Sequence, residues 1–84
     1  MPEIRFDVSD DLLLSLNENT SELSRDVRLF SAMYLFKLHK LSIGKAAELA
    51  GINKFEFMVK LSENDIPVVD YDHSELDTEL NRFQ

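Results

Sequence analysis

Residues 41–61 read LSIGKAAELAGINKFEFMVKL, and this stretch decides the fold that we predict for the whole chain. Ser42 is a suitable N-cap for a first helix. Gly51 then ends that helix, because glycine takes a positive φ at low cost. Asn53 caps a second helix, and Glu56 three residues later completes a capping box. The pattern therefore predicts two short helices joined by a tight turn.

The apolar residues of this stretch give each predicted helix one buried face. Small residues on the first helix let the second approach closely, and two larger side chains seat the second helix on the core. In chain order these positions are Ile43, Ala46, Ala47, Ala50, Ile52, Phe57 and Leu61. Together with the capped turn, they predict a helix-turn-helix of the kind that binds DNA.

A second interpretation fits the same residues, namely a plain helical hairpin in which the alanines and the glycine serve packing alone. The exposed face of the second helix favours this alternative, because lysines stand there beside glutamates and do not form a strongly basic surface. The charged residues of that helix are Lys54, Glu56, Lys60 and Glu63. The two interpretations differ in whether DNA is bound.

Length and composition limit the classes of protein to which the chain can belong. A chain of 84 residues forms one domain with a small core, and such domains are often helped by oligomerisation. The absence of cysteine excludes disulfides and thiolate metal sites. No apolar run approaches a membrane span and the acidic N-terminus is unlike a signal peptide, so we expect a cytoplasmic protein. The net charge of −7 argues against indiscriminate nucleic-acid binding.

The N-terminal residues predict a strand, because Glu3–Val8 alternates apolar and polar side chains. Its partner is either the strand-like run Ile66–Asp72 of the same chain or Glu3–Val8 of a second copy. Strand, short helix and long helix is also the order of a ribbon-helix-helix unit, whose paired strands read the major groove. On this strand, Arg5 alone is suited to contact DNA.

Two helices are predicted between the strand and residue 41. Ser9 caps a short leucine-rich helix, and Asn19 with Glu22 opens a long helix that runs to about Lys40. The long helix has one apolar stripe at Leu23, Val27, Phe30, Tyr34, Leu38 and Leu41, and another at Leu29, Met33 and Phe36. So wide an apolar surface fits a central core helix, or a core helix whose second stripe meets another subunit. With the unpaired strand, it predicts a homodimer.

The last twenty residues are acidic and contain one arginine, Arg82. Pro67 restricts the run Ile66–Asp72 to a sheet edge or an extended segment. Ser74 opens a last short helix. The apolar residues of that helix are Leu76, Leu80 and Phe83.

These elements predict a mainly α fold in a single domain, residues 1–84. It consists of a strand-helix-helix dimerisation part (1–40), a helix-turn-helix (41–64) and an acidic C-terminal arm (65–84). The arm contains the short second strand and the last helix.

No combination of residues in the chain is suited to catalysis. The carboxylates around residues 70–79, including Asp70, Asp72 and Asp77 near His73, match no calcium loop, and a solvated acidic tail is the better interpretation. The chain has two glycines and therefore no glycine-rich phosphate loop. We expect neither an enzyme nor a metal or cofactor site.

Several segments together resemble one known family. They are IGKAAELAG at residues 43–51, Phe55 and Phe57, DIPV at residues 65–68, and Tyr71-Asp72. Here, and more weakly through the N-terminal strand and leucine-rich helix, the chain is similar to a small, long-uncharacterised prokaryotic family. Its members are antitoxin-like proteins encoded beside PIN-domain ribonuclease toxins. The resemblance implies a DNA-binding or toxin-neutralising antitoxin, usually dimeric.

Candidate site residues fall into two sets. For DNA, helix N-termini offer backbone donors to phosphates and lysines supply charge, at Ser42, Lys45, Asn53, Lys54 and Lys60, with Arg5 as the next residue to test. For the toxin, the C-terminal arm offers Ile66, Val68, Tyr71, Leu76, Leu80, Arg82 and Phe83. Of these, Arg82 is able to pair with the carboxylates of a metal-dependent nuclease.

The leading hypothesis is an antitoxin that neutralises a PIN-domain ribonuclease and also binds operator DNA. The alternative is a protein-interaction adaptor that never contacts DNA.

Overall fold

The computed structural model describes residues 1–68, and over this range the chain forms four α-helices. They are α1 (Asp10–Leu16), α2 (Thr20–Lys37), α3 (Ile43–Ala50) and α4 (Lys54–Glu63). The mainly α class is confirmed for this part of the chain, as are both helices of the predicted helix-turn-helix. Within it, no helix is long and apolar enough to cross a membrane.

Each of the four helices begins at its predicted N-cap. The side-chain oxygens of Ser9, Asn19, Ser42 and Asn53 accept hydrogen bonds of 2.8–3.2 Å from the backbone N–H three residues later. The capping boxes of α2 and α4 are both closed by the returning glutamate. These bonds satisfy N–H groups that have no partner within the helix, so they fix where each helix starts.

The end of α2 differs from the prediction, because the helix stops at Lys37 and not at about Lys40. His39 adopts a left-handed φ of 63°. Its N–H donates to the Phe36 carbonyl, and the Lys40 N–H donates to that of Leu35, both at 2.9 Å. This pattern reverses the chain and satisfies the last carbonyls of the helix. Glycine, the usual signal for such a stop, is absent here.

The core lies between α2, α3 and α4, and all eight of its buried residues are apolar. They are Ala32, Met33, Phe36, Ala46, Ala47, Ala50, Phe57 and Leu61. The Phe36 and Phe57 rings meet edge to face, with centroids 6.2 Å apart and planes at 88°. Three alanines on α3 allow this close packing. The stripe of α2 that contains Met33 and Phe36 is therefore the core stripe, whereas α1 contributes no buried residue.

The predicted strand Glu3–Val8 is wrong for the single chain. Residues 1–9 form no regular secondary structure, and we call them the N-terminal arm. The backbone of residues 1–8 makes no hydrogen bond to any other residue in the 1–68 range. The cause is the lack of a partner, because an isolated strand leaves its donors and acceptors unpaired.

The C-terminal strand is likewise absent where it is described, since residues 66–68 are irregular. Ile66 instead donates its N–H to the Leu61 carbonyl at 2.9 Å and packs partly buried against the core. The rest of that strand and the helix predicted from Ser74 lie outside the described residues.

The turn between α3 and α4 depends on Gly51. Its φ is +79°, and its N–H donates to the carbonyls of Ala47 and Glu48. A Cβ built at this position would lie 3.1 Å from three guanidinium atoms of Arg28 on α2. The backbone conformation therefore favours glycine here, and a Cβ would also be tight against the Arg28 guanidinium.

The two glycines of the chain form a matched pair for a stability measurement. Gly51→Ala should lower the free energy of unfolding by about 1–2 kcal/mol, because it forces a side chain into the left-handed region. Gly44→Ala should raise it by roughly 0.5 kcal/mol, because Gly44 lies within α3 and nothing stands within 4 Å of its Cβ position. Urea denaturation followed by circular dichroism measures both changes. Equal effects of the two substitutions would contradict this account of the turn.

Candidate functional site

The structure brings the predicted DNA-binding residues of α3 and α4 together on one helix-turn-helix. Ser42 and Asn53 act as caps, since the Ser42 Oγ accepts from the Lys45 N–H at 3.2 Å and the Asn53 Oδ1 from the Glu56 N–H at 2.8 Å. Both residues are exposed. The N-termini of α3 and α4 are therefore accessible, although these side-chain oxygens already hold the helices' own N–H groups.

Three of the four predicted cationic contacts are paired with a nearby carboxylate. Lys45 Nζ lies 3.5 Å from Glu48, Lys60 Nζ lies 3.7 Å from Glu63, and Arg5 Nε lies 3.6 Å from Glu3. Exposed pairs of this kind contribute little to stability, but they lower the positive potential that a phosphate would meet. Among residues 1–68, Lys54 has no ion pair.

Two arginines that the sequence analysis did not select stand beside the turn of the helix-turn-helix. Arg28 Nε donates to the carbonyl of Leu49, near the end of α3, at 2.8 Å. Arg25 is exposed one turn earlier on α2. They line a groove of about 600 Å³, which we call the arginine groove. Its polar lining is Thr20, Ser21, Ser24, Arg25 and Arg28, and it continues to Gly51 and Ile52 in the turn.

The only sequence signal for this groove was the neutral-to-basic middle of the chain, with Arg25 and Arg28 three positions apart on one helix. Residues at that spacing lie on the same face. The groove itself depends on α2 lying against the end of α3. Local spacing carries no information about that contact.

Acidic residues lie at the start of α2, within electrostatic reach of Arg25. Glu18 precedes the helix, and its side chain shares a hydrogen bond with Asp26, which raises the pKa of Glu18 above its ordinary 4.5. The negative charges of Asp26 and Glu22 raise that pKa further, whereas Arg25 lowers it. The carboxylate of Glu22 also accepts from the Asn19 N–H in the capping box, at 2.9 Å. No carboxylate lines the arginine groove.

Large apolar side chains are exposed on four surfaces. On α1, three leucines are exposed, namely Leu12, Leu14 and Leu16. On the N-terminal arm, Ile4 is 90% and Phe6 is 63% exposed. On α2, the stripe that does not enter the core leaves Phe30, Tyr34 and Leu38 exposed. On α4, Phe55 is 71% exposed and Val59 lies one turn further along. An apolar outer face is unusual for a helix that reads DNA and suits contact with another protein.

The arm lies over the first half of α2, beside the arginine groove. Between them is a cavity of about 720 Å³ that Leu23 and Val27 help to line. Both residues are half-buried, so the N-terminal arm covers the upper part of the α2 stripe that does not enter the core, which we call the outer stripe. The lower part of the stripe, from Phe30 onward, remains open.

The predicted toxin-binding residues fall on both sides of the last described residue. Ile66 packs against the core, and Val68 is exposed. The remaining five lie outside the described residues. They are Tyr71, Leu76, Leu80, Arg82 and Phe83.

The pKa of Glu18 generates a pH-dependent prediction. Because that pKa is raised in the folded state, the stabilising contribution is present below pH 4.5 and is lost as the pH rises through the folded-state value. Glu18→Gln keeps a donor for Asp26 and removes the charge, so it should raise the thermal midpoint at neutral pH. The gain should disappear below pH 4.5.

Thermal melts at the two pH values measure this difference. Glu48→Gln is the control, because it removes a carboxylate that is paired with Lys45 and should not raise the midpoint. A gain for Glu18→Gln that persists in acid would show that charge repulsion is not its cause.

Comparisons with known proteins extend beyond the described residues. A family model described as an uncharacterised protein family, UPF0175, matches residues 1–84. A UPF0175 protein of Aeropyrum pernix is 37% identical over 59 residues, which are 70% of this chain and 75% of that relative. No solved structure matches the chain. The chain therefore belongs to the UPF0175 family.

Proposed function

We propose that this chain is the antitoxin of a toxin–antitoxin pair. It forms a homodimer, neutralises a PIN-domain ribonuclease in the cytoplasm and binds operator DNA through α3 and α4. The observation that carries the proposal is a capped helix-turn-helix in a chain that leaves large apolar side chains exposed on four surfaces. Contiguous exposed apolar surface marks contacts with other proteins. An antitoxin needs such contacts with its toxin and with its own copy.

The N-terminal arm and the outer stripe of α2 supply the dimer surface. In the arm, alternate apolar side chains are exposed and the backbone of residues 1–8 is unpaired within the 1–68 range. Pairing with the arm of a second copy would satisfy those backbone groups. Exposed apolar side chains recur every four residues along α2 and its C-cap, at Phe30, Tyr34 and Leu38. A second copy would bury them beside the paired N-terminal arms.

The C-terminal arm supplies the toxin contact. Ile66 fixes its start to the core, and Val68 is exposed where the described residues end. The sequence beyond continues with acidic residues, three apolar positions at helical spacing and Arg82. Acidic residues suit the basic surface of a ribonuclease, and an arginine suits the carboxylates of its metal site.

The adaptor that never contacts DNA remains the second candidate, and two observations favour it. Lys45 and Lys60 are paired with glutamates of their own helices. Phe55 projects from the outer face of α4, where a DNA-reading helix would carry polar side chains. A gel shift with the operator region at two salt concentrations separates the candidates, because phosphate contacts weaken as salt rises.

The first prediction concerns the dimer. At micromolar concentration the chain should sediment with twice the mass of one chain, and Phe30→Asp should sediment as a folded monomer. The substitution leaves the core intact, because Phe30 is exposed and lies outside the buried cluster. Ser21→Asp adds the same charge on another side of α2 and should remain dimeric. A monomeric wild-type chain would remove the dimer from the proposal.

The second prediction concerns neutralisation. The proposal requires a PIN-domain ribonuclease encoded beside the gene. Co-expression with it should restore growth, and the two proteins should purify together. Leu80→Asp should weaken capture by roughly tenfold or more, as loss of a buried apolar anchor does. Leu14→Asp alters another exposed leucine, on α1, and should have no effect on capture. A folded chain that neither restores growth nor captures the ribonuclease would exclude the antitoxin assignment.

A further inference from the structure

We propose that the arginine groove binds a phosphodiester of the DNA backbone beside the N-terminus of α4. This inference rests on the DNA-binding part of the proposed function and assigns a contact to Arg25 and Arg28. The groove lies between the first turns of α2 and the turn of the helix-turn-helix, with a volume of about 600 Å³. It therefore borders the element that a helix-turn-helix presents to DNA.

Arg28 is held in place before any ligand binds. Its Nε–H donates to the Leu49 carbonyl at 2.8 Å, which uses one of five guanidinium donors. The guanidinium lies 3.1 Å from the position that a Cβ on Gly51 would occupy, so the glycine makes room for it. No other hydrogen bond or ion pair of Arg28 is formed within residues 1–68. An oriented guanidinium group whose other N–H donors are still available suits a phosphate.

Arg25 adds a second cation to the same groove. It forms no hydrogen bond or ion pair with any residue in the 1–68 range. Three hydroxyl groups, those of Thr20, Ser21 and Ser24, line the groove as further donors. Two guanidinium groups and three hydroxyls form a site for an anion. The nearest carboxylates lie outside the groove lining: Glu3 and Asp7 line the adjoining cavity that Arg28 also lines, and Glu18 interacts electrostatically with Arg25.

The position of the groove favours DNA over an acidic protein segment. Ile52 lines the groove, and two residues later Lys54 begins α4 as a cation without an ion pair among the described residues. When the N-terminus of a recognition helix enters the major groove, the flanking phosphates lie beside the preceding turn. The arginines would thus supply positive charge that the paired lysines of α3 and α4 do not.

The test uses Arg25→Gln in the chain of 84 residues, because Arg25 forms no hydrogen bond or ion pair within residues 1–68. The probe is a fluorescein-labelled duplex of roughly two helical turns from the operator region, with binding followed by anisotropy between about 50 and about 200 mM salt. We expect the wild type to bind, and Arg25→Gln to weaken binding by about threefold to tenfold at the lower salt. The slope of log K against log salt should become shallower by about 0.9 for each protomer bound.

Two further variants complete the experiment. Lys37→Gln removes a cation roughly 18 Å further along α2 and on another side of the helix, and it should bind as the wild type does. Arg28→Lys keeps the charge but loses the planar guanidinium that can donate two parallel hydrogen bonds. It should also weaken binding, while thermal melts report any loss of its bond to Leu49.

Each contrary outcome is separable from the proposed function. Equal affinity and equal salt slope for the wild type and Arg25→Gln would overturn the groove assignment, and weaker binding by Lys54→Gln would then leave the helix-turn-helix proposal standing. A wild type that fails to bind the duplex at low salt would overturn the groove and the DNA-binding role together, with neutralisation unaffected. Loss of ribonuclease capture by Arg25→Gln, with duplex binding retained, would assign the groove to an acidic protein surface instead.

Discussion

Close packing of α2 and α4 against the alanine side chains of α3 is the constraint on which the rest of the structure depends. Ala46, Ala47 and Ala50 are buried on α3, which packs against both α2 and α4. Their small size lets Phe57 and Leu61 reach the α2 surface and close the core. A larger side chain at these positions would overfill a densely packed interior, at a cost of about 1–3 kcal/mol. The positions of the turn and of both groove arginines follow from this contact.

A core in which four of the eight buried residues are alanines leaves much of the apolar surface uncovered. The described part of the chain buries eight residues, and α1 contributes none of them. The N-terminal arm covers the upper part of the outer stripe of α2 but leaves its own Ile4 and Phe6 exposed. The small side chains that permit a tight helix-turn-helix therefore also leave apolar surfaces that other molecules can cover. These surfaces support the proposed contacts with other proteins.

The sequence allowed prediction of the features that are encoded within a few neighbouring residues. All four N-caps were predictable, since a capping side chain bonds to a backbone N–H three residues away. The stop of α2 was not, because His39 takes a left-handed conformation without a glycine to signal it. The strand Glu3–Val8 was predicted from alternation alone, yet a strand also needs a partner, and the single chain supplies none in the range described.

The candidate site, too, was predictable only where its residues belong to a local sequence pattern. Residues on the helix-turn-helix were found from its pattern, but the pairing of Lys45 and Lys60 with glutamates reduced their value as phosphate contacts. Arg25 and Arg28 were missed, because their groove exists only after α2 packs against the end of α3. Membership of UPF0175 covers the whole chain and adds no chemistry to either set.

Most contacts between helices of the core join helices that follow one another along the chain, α2 with α3 and α3 with α4, and the Phe36–Phe57 ring contact joins α2 to α4. Such local topology has a low contact order, and helical domains of this kind fold in microseconds to milliseconds. Subunit association takes milliseconds to minutes and depends on concentration. A newly made chain would therefore complete its helical core long before it meets a second molecule, and the speed of assembly would follow the amount of protein in the cell.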